Sequence, residues 1–271
     1  MTVLSGIHNH SVFSDGKNTP EEMAQAAVEK GFVSFGISDH SFTFCDSSYC
    51  MKKDALASYL AACRDLKDKV AGRIEFFVGI EKDGESKIDY ADYDFVIGSV
   101  HYVHGKSGAV YPVDSGAAGQ LDFVAKECGG DRLELARIYY DAVAEHALKE
   151  PFPILGHFDL LNKYGLFDGA GEPYEKIALA ALDAVLEKTP YFEVNTGAVA
   201  RGLRKDPYPA PVFLRHIREK GGRVILSADA HSADKIDFFF PEALALLRKI
   251  GFTEVYRLRK TGFERVPLDP A

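Results

Sequence analysis

Short apolar runs alternate with longer segments of helical periodicity along most of the chain. Near-continuous apolar stretches are typical of strands that are covered on both faces. Seven such runs lie at residues 3–7, 32–38, 74–80, 94–100, 153–156, 191–194 and 223–227. Strands that alternate with helices predict a parallel sheet. Seven units in 271 residues favour a closed barrel of the (β/α) type, formed as a single domain over residues 1–271, rather than an open sheet.

The segments between these runs carry helix signals. Thr19-Pro20-Glu21-Glu22 combines an N-cap residue, a proline at the first position and acidic residues in the first turn, and Gly31 ends that helix. Further helices are predicted at residues 54–70, 131–149, 173–188, 211–220 and 241–250. A further apolar run lies at residues 254–258.

Residues 104–130 depart from this alternation. They are rich in glycine and predict a long irregular loop with a short helix near residues 120–126. Loops of this length inside compact domains are often lids. Closure of this segment over a substrate is therefore a hypothesis that its length supports.

Histidines and carboxylates follow the apolar runs at the points where the strands end. His8 and His10 stand two residues apart after the first run, so a strand would place both imidazoles on the same side. The carboxyl ends of the parallel strands in a barrel open on one face. We therefore expect nine side chains to meet in one pocket: His8, His10, Asp15, His40, Glu81, His101, His157, Asp229 and His231.

This set is typical of a metal centre. Any one of its histidines taken alone is explained equally well as a hydrogen-bonded core residue, but six of the nine histidines in the chain belong to the set. Imidazole and carboxylate ligands without thiolate suit Zn, Mn or Fe. Nine ligands are too many for one ion with an open position, so they predict two or three divalent ions with Glu81 as the bridge. Such clusters perform hydrolysis, because they generate hydroxide at neutral pH and neutralise a phosphoryl group.

Composition and charge narrow the choice of partners. A formal net charge of −8 disfavours a nucleic acid or a membrane surface as partner. No run approaches the ~20 apolar residues of a membrane span. The first residues do not show the basic region followed by an apolar region that is typical of a signal peptide, so we expect none. The four cysteines lack the spacing of a disulfide framework, so we expect reduced thiols and a cytoplasmic location. The sequence predicts no particular oligomeric state.

With these residues in place, the sequence resembles the PHP (polymerase and histidinol phosphatase) superfamily, in its branch of stand-alone histidinol-phosphate phosphatases. The resemblance spans nearly the whole chain, and its motifs occur in order. They are His8-Asn9-His10 with Ser14-Asp15-Gly16, Ser38-Asp39-His40, Gly79-Ile80-Glu81, Ser99-Val100-His101, Gly156-His157 and Ser227-Ala228-Asp229-Ala230-His231. Asp15 stands where some relatives carry histidine. We expect this difference to change the preference for a particular metal but not the presence of the metal site.

The resemblance implies a distorted TIM-like (β/α)7 barrel with a trinuclear metal site at the C-terminal ends of the strands. It implies one ion held by His8, His10, Glu81 and Asp229, a second by Glu81, His101 and His157, and a third by Asp15, His40 and His231. The implied reaction is attack of a metal-bridging hydroxide on a phosphomonoester. Asp229, Glu81 and His10 are its catalytic residues, and Asp229 or a metal-bound water protonates the leaving group.

The implied substrate is L-histidinol phosphate, so the implied pathway is histidine biosynthesis. Arg201, after the sixth strand, is a candidate for clamping the phosphate, and Lys163 is a second. A solvated loop charge is the alternative explanation for Arg201. Four loop residues are candidates for receiving the ammonium and imidazole groups, although ordinary packing or solvation explains each of them better: Asp159, Phe42, Phe44 and Tyr102.

Two other functions stay open. A PHP phosphoesterase that acts on another small phosphomonoester or nucleotide fits the same residues, whereas the lack of a basic stripe with interleaved aromatic residues disfavours oligonucleotides. A non-catalytic metal-binding or regulatory module is the alternative from a different class. Degenerate members of such families usually lose ligands, and here every ligand position is filled.

Overall fold

The computed structural model describes residues 4–45, 48–89, 91–150 and 152–268. Its strands are β1 (Ser5–Gly6), β2 (Ser34–Ile37), β3 (Glu75–Asp83), β4 (Phe95–Ser99), β5 (Tyr102–His104), β6 (Val110–Pro112), β7 (Ile154–Leu155), β8 (Tyr191–Asn195), β9 (Arg223–Ser227), β10 (Glu254–Arg259) and β11 (Gly262–Pro267). Its helices are α1 (Pro20–Glu29), α2 (Leu56–Lys69), α3 (Ala117–Glu127), α4 (Arg132–Lys149), α5 (Glu172–Leu186), α6 (Gly197–Ala200), α7 (Pro211–Glu219) and α8 (Phe240–Ile250).

The predicted alternation of strands and helices is confirmed. Each of the seven apolar runs contains a strand, and the first helix begins with the predicted cap. Thr19 Oγ1 accepts a hydrogen bond from the Glu22 amide at 3.2 Å, and the Glu22 carboxylate accepts one from the Thr19 amide at 2.8 Å. This reciprocal pair satisfies two amides that the first turn of a helix leaves without partners.

The strands form one curled sheet in the order β1-β2-β3-β4-β7-β8-β9-β10-β11. All neighbours from β1 to β10 run parallel, and β11 pairs antiparallel with β10. An isolated parallel bridge joins Asn9, after β1, to Ala230, after β9, and the His10 amide donates to Ala230 O at 2.9 Å. The fold is thus a mixed α/β fold whose sheet curls until the chain after its first strand meets the chain after β9.

The short helix predicted near residues 120–126 is confirmed as part of α3, but the prediction that the rest of residues 104–130 is an irregular loop is wrong. β5 and β6 form a hairpin whose turn contains Gly108 at a φ of 84°, and α3 follows directly. Gln120 on α3 donates to the carbonyls of Val113 and Leu161 at 2.7 and 2.8 Å. Four glycines of the segment therefore mark positions where positive φ is required, rather than a stretch without structure: Gly108, Gly116, Gly129 and Gly130. Closure of this segment over a substrate stays a prediction.

Two apolar layers lie on opposite faces of the sheet. The larger packs the helices against the outer, convex face. The smaller contains buried residues of the strands and the chain beside them but none of the helices, so it fills the inner, concave face: Ile7, Phe77, Phe95, Ile97, Ile154, Tyr191, Ile225 and Leu258. Among the described residues, no helix has both the length and the apolar character that crossing a membrane requires.

Candidate metal centre

Strand alternation carries polar side chains onto the concave face beyond its apolar layer. Successive residues of a strand point to opposite faces, so Glu81 lies on the same face of β3 as Phe77. In the same way Glu193 follows Tyr191 on β8, and Ser227 follows Ile225 on β9. The concave face is therefore apolar toward the amino ends of the strands and polar toward their carboxyl ends, where active sites of parallel α/β folds lie.

A cavity of about 350 Å³ opens at this polar end. Its size falls in the range of small-molecule sites. Six predicted ligands are among its lining residues: Asp15, His40, His101, His157, Asp229 and His231. Arg201 and Lys163, the two predicted phosphate-binding residues, line it as well.

Glu81 lies at the centre of the predicted ligand set. Its Oε2 atom is 2.7 Å from His40 Nδ1 and 3.3 Å from His8 Nε2. Its Oε1 atom is 2.9 Å from His157 Nε2 and 3.5 Å from His101 Nε2. Both carboxylate oxygens thus face imidazole nitrogens, as the predicted bridging role requires.

Asp15 and Asp229 extend the centre on either side of His10. His231 Nε2 is 3.2 Å from Asp15 Oδ2, and His40 Nε2 is 3.7 Å from Asp15 Oδ1. His10 Nε2 lies 3.1 Å from Asp229 Oδ1. The His10 ring packs against the rings of His40 and His231, at centroid distances of 4.2 and 4.3 Å. All nine predicted ligands therefore come together.

Three groups within this set are spaced to hold an ion. Their ligand atoms lie within 4.8 Å of one another, and the groups are His8 with His10 and Asp229, His10 with Asp15, His40 and His231, and His40 with Glu81 and His101. The first group matches the implied ligand set of the first ion without the bridging Glu81. The second group matches the implied ligand set of the third ion with His10 added. In the third, His40 replaces His157, so the distribution of ligands among ions stays a prediction.

The buried polar atoms of the centre fit divalent cations. His8 Nε2, His10 Nδ1 and Glu81 Oε2 are buried and make no hydrogen bond of acceptable geometry within the described residues, although Glu81 Oε2 lies 2.7 Å from His40 Nδ1. Burying such atoms without partners is costly. A cation satisfies them, and imidazole with carboxylate is a donor set that Zn, Mn or Fe accepts.

Charges within the centre shift its pKa values strongly. Burial alone would lower the pKa of His8, but Glu193 and Glu81 raise it well above its usual value. Burial raises the pKa of the Glu81 carboxyl, yet the charges of His40 and His8 outweigh it and hold that pKa well below its usual range. The central carboxylate is therefore ionised at neutral pH and attracts cations.

The histidines differ from one another in proton affinity. Burial and the neighbouring His40 and His231 lower the pKa of His10 to about 3. Burial also lowers the pKa of His101, but Glu81 and Asp83 raise it to a net value of about 9. Metal ligation requires the neutral imidazole. At pH 7 His10 would therefore bind a cation without losing a proton, whereas His101 would have to lose one.

Two carboxylates that the sequence patterns did not single out orient the histidines. Glu193 accepts a hydrogen bond from His8 Nδ1 at 2.5 Å and one from the His157 amide at 2.8 Å. Asp83 accepts from His101 Nδ1 at 2.9 Å. The bonds to the Nδ1 atoms of His8 and His101 fix those two rings so that Nε2 faces the centre, a common arrangement around metal-binding histidines. Two sequence signals would have identified these carboxylates. Glu193 is a charged residue inside an apolar parallel strand, and Asp83 follows Glu81 at a spacing of two residues.

Arg201 contacts the centre directly. Its Nη2 atom donates to Asp229 Oδ2 at 3.1 Å, and Nη1 lies 3.3 Å from His231 Nδ1. Asp229 has a φ of 48°, a conformation that Asp tolerates better than most residues. Burial raises the pKa of the Asp229 carboxyl, but Arg201 and His8 hold it well below its usual range. Asp229 is thus an ionised carboxylate.

The other substrate-binding candidates lie in three different places. Lys163 pairs with Asp114 at 2.9 Å in the cavity, and Tyr102 lines the cavity as well. Asp159 instead accepts hydrogen bonds from Arg204 and the Ala210 amide, away from the cavity. Phe42 and Phe44 line a separate cavity of about 480 Å³.

Comparisons with known proteins place this geometry in context. The family model described as PHP domain matches residues 6–197. The chain is 33% identical over 275 residues to a protein of Deinococcus radiodurans named probable histidinol-phosphatase, covering 96% of this chain and 99% of that protein. It is 26% identical to the histidinol-phosphatase of Lactococcus lactis, covering 92% and 91% of the two chains.

Two solved structures show the same fold. The histidinol phosphate phosphatase of Lactococcus lactis, solved with zinc, L-histidinol and phosphate, superposes with a TM-score of 0.73 at 22% identity, covering 96% of this chain and 98% of that one. A putative histidinol phosphatase from Listeria monocytogenes superposes with a TM-score of 0.73 at 20% identity, covering 88% and 98%. The curled sheet and its helices are therefore an arrangement that these proteins share.

Proposed function

We propose that this chain, which belongs to the PHP domain family, is a metal-dependent phosphomonoesterase that hydrolyses L-histidinol phosphate to L-histidinol and phosphate. The observation that carries the proposal is the convergence of nine histidine and carboxylate side chains around Glu81, in a cavity that Arg201 also lines. The relatives named histidinol-phosphatase align over more than nine tenths of the chain, which supports the same activity and a place in histidine biosynthesis.

The proposed cofactors are two or three divalent ions of Zn, Mn or Fe. The residues that would hold them are His8, His10, Asp15, His40, Glu81, His101, His157, Asp229 and His231. When bound, such ions lower the pKa of water and neutralise phosphoryl oxygens. Glu193 and Asp83 keep the rings of His8 and His101 in the orientation that binding needs.

Arg201 and Asp229 have distinct proposed roles toward the substrate. Only part of the Arg201 guanidinium is engaged by Asp229 and His231, so its other N–H groups are available to a phosphate in the cavity. Asp229 lines the cavity, and its proposed role is to pass the proton that the attacking water loses to the leaving oxygen. Lys163 is the second proposed phosphate contact, although Asp114 neutralises part of its charge.

The same proposal covers the whole chain. The bridge between Asn9 and Ala230 supports a closed, distorted TIM-like (β/α)7 barrel, and we propose that residues 1–271 form one catalytic domain. The net charge of −8 supports a small-molecule substrate rather than a nucleic acid or membrane partner. The four cysteines without the spacing of a disulfide framework support the proposed cytoplasmic location.

Phosphate release from L-histidinol phosphate tests the proposal. The protein is loaded with Mn or Zn and compared on nucleoside monophosphates and a bis-phosphorylated nucleotide. We expect a strong preference for L-histidinol phosphate and a loss of at least about 100-fold in kcat/KM in His10→Ala, because that ring contacts two of the three ion groups. His216→Ala is the matched control, since His216 pairs with Asp183 outside the centre.

The outcomes separate the alternatives. Broad turnover with little preference for L-histidinol phosphate would keep the phosphoesterase and replace its substrate by another small phosphomonoester or nucleotide. Metal binding without phosphate release from any of these compounds would contradict the enzymatic proposal and favour a regulatory metal-binding module.

A further inference from the structure

The active-site cavity contains one negative charge that the metal centre does not use. Its acidic residues, within the described part of the chain, are Asp15, Asp114 and Asp229. Asp15 and Asp229 face histidines and belong to the ion groups, whereas Asp114 belongs to none of them. A carboxylate in a cavity that binds a phosphate dianion is unfavourable for that anion unless cations balance it, either protein side chains such as Lys163 or a positive charge on the substrate.

The fold holds Asp114 firmly at the cavity wall. The amide of the preceding residue, Val113, donates to His101 O at 2.8 Å, and Tyr164 Oη donates to Asp114 O at 2.5 Å. Gln120 ties the same segment to Leu161. The Asp114 backbone is thus fixed both to the strand end that presents His101 and to the segment after β7.

One oxygen of Asp114 remains available to a second cation. Lys163 Nζ donates to Oδ2 at 2.9 Å, while Oδ1 accepts no hydrogen bond within the described residues. The Asp114 side chain is 31% exposed and Lys163 is 12% exposed. A carboxylate accepts several hydrogen bonds at once, so the lysine orients the group without using its capacity.

The wall beside Asp114 suits the rest of an amino alcohol. Tyr102 pairs with Pro112 across the hairpin, and both line the cavity with Tyr49 and Leu160. Apolar and aromatic side chains of this kind can pack against a flat imidazole ring, and the face of an aromatic ring attracts a cation.

We propose that Asp114 binds the ammonium group of the substrate and makes the enzyme selective for phosphomonoesters of 2-amino alcohols. This inference rests on the proposed phosphatase function and names a determinant of its substrate class. Asp114 contacts the leaving alcohol rather than the phosphate, so its effect falls on substrate affinity.

The inference is tested by removing the Asp114 carboxylate, the substrate ammonium group, or both, and comparing the resulting activities. Wild type and Asp114→Asn are compared on L-histidinol phosphate and on 3-(imidazol-4-yl)propyl phosphate, which differs only in lacking the amine. We expect Asp114→Asn to lower kcat/KM for L-histidinol phosphate by about 10- to 100-fold, mainly through KM, because a charged contact is lost. On the analogue we expect a change below about threefold, because no partner is left for the carboxylate.

Lys163→Gln is the matched variant, since it breaks the same ion pair and leaves the carboxylate in place. We expect Lys163→Gln to keep the preference for the amine, whatever its overall rate. Equal losses on both substrates in Asp114→Asn, or the same loss of preference in both variants, would show that the ion pair only supports the wall and would overturn the proposal. A wild type without preference for the amine would overturn it as well.

Phosphoethanolamine and ethyl phosphate separate this inference from the proposed function. If wild type does not turn over L-histidinol phosphate but hydrolyses phosphoethanolamine faster than ethyl phosphate, the histidinol-phosphatase assignment fails. A dependence of that preference on Asp114 then still supports the ammonium site, and independence from Asp114 rejects it.

Discussion

Glu193 is a fully charged side chain in the middle of a buried strand, and the structure accounts for its cost. It is 1% exposed and accepts hydrogen bonds from His8, the His157 amide, Asn195 and Ser227. Burial alone raises the pKa of its carboxyl, but the charge and hydrogen bond of His8 bring that pKa below its usual value. Glu193 is therefore an ionised carboxylate that holds the His8 ring on the side away from Glu81.

Glu193→Gln tests this role at the scale of one residue. The amide retains the shape but loses the charge and places an NH2 group against donors. We expect a loss of about 10- to 100-fold in metal affinity and in kcat/KM, as for other residues that hold a metal-binding histidine. Zinc titration and phosphate release measure it, with the exposed Glu187→Gln as control. Unchanged zinc affinity in Glu193→Gln would mean that the carboxylate only packs.

At the scale of the element, β3 combines core and site in one alternating row. Four alternate residues of β3 share the concave face. In order they are the core residue Phe77, Gly79, which has no side chain, the predicted ligand Glu81, and Asp83, which orients His101. The gap at Gly79 is filled by the ring of Phe95 from the neighbouring strand. A strand without this gap could not bring Phe95 and Glu81 into the same narrow space.

Gly79→Ala therefore destabilises the sheet. A Cβ atom at this position would lie 2.1 Å from Phe95 Cζ, inside the ring's own volume. We expect a loss of about 1–3 kcal/mol in the free energy of unfolding, the usual cost of overpacking a core. Urea denaturation measures it. Gly84→Ala is the control, because its Cβ would meet no atom closer than 3.8 Å. Equal stability of the two variants would contradict the packing argument.

At the scale of the whole molecule, the curl of the sheet brings the chain after β1 against the chain after β9, where the ligands gather. His10 belongs to the segment that bridges to Ala230, and Asp229 and His231 flank that bridge. Ions bound by these residues would therefore also link the segment after β1 to the segment after β9. Because ligands of this kind are brought together only in the folded chain, binding of metal stabilises that chain.

Removal of metal is accordingly expected to lower the melting temperature. An ion present at 100 times its dissociation constant contributes about 2.7 kcal/mol, which corresponds to roughly 5–10 °C for a chain of this size. Thermal unfolding of the zinc-loaded protein with and without a chelator measures the shift. His10→Ala should show a smaller shift, since it removes a ligand of two ion groups. A wild-type melting temperature that is insensitive to the chelator would reject this role.

The sequence by itself determined the elements and the composition of the centre. Local patterns report whether a segment is buried and which backbone period it follows, so apolar runs, caps and the histidines at strand ends predicted the helices, the parallel sheet and the nine residues that meet. The hairpin of β5 and β6 was not predicted, because its glycines serve turns that only the pairing of the two strands defines. β11 was not predicted either, because its charged residues are those of an exposed edge strand.

Only the tertiary structure decided what each buried charge contacts. The curl of the sheet brings Glu193 of β8 behind His8 of the first segment, 185 positions away along the chain. The hairpin sets Asp114 against Lys163 inside the cavity. Asp159 instead pairs with Arg204 and is not among the residues that line the cavity. These pairings depend on contacts between distant segments, and the period of a single strand or helix carries no information about them.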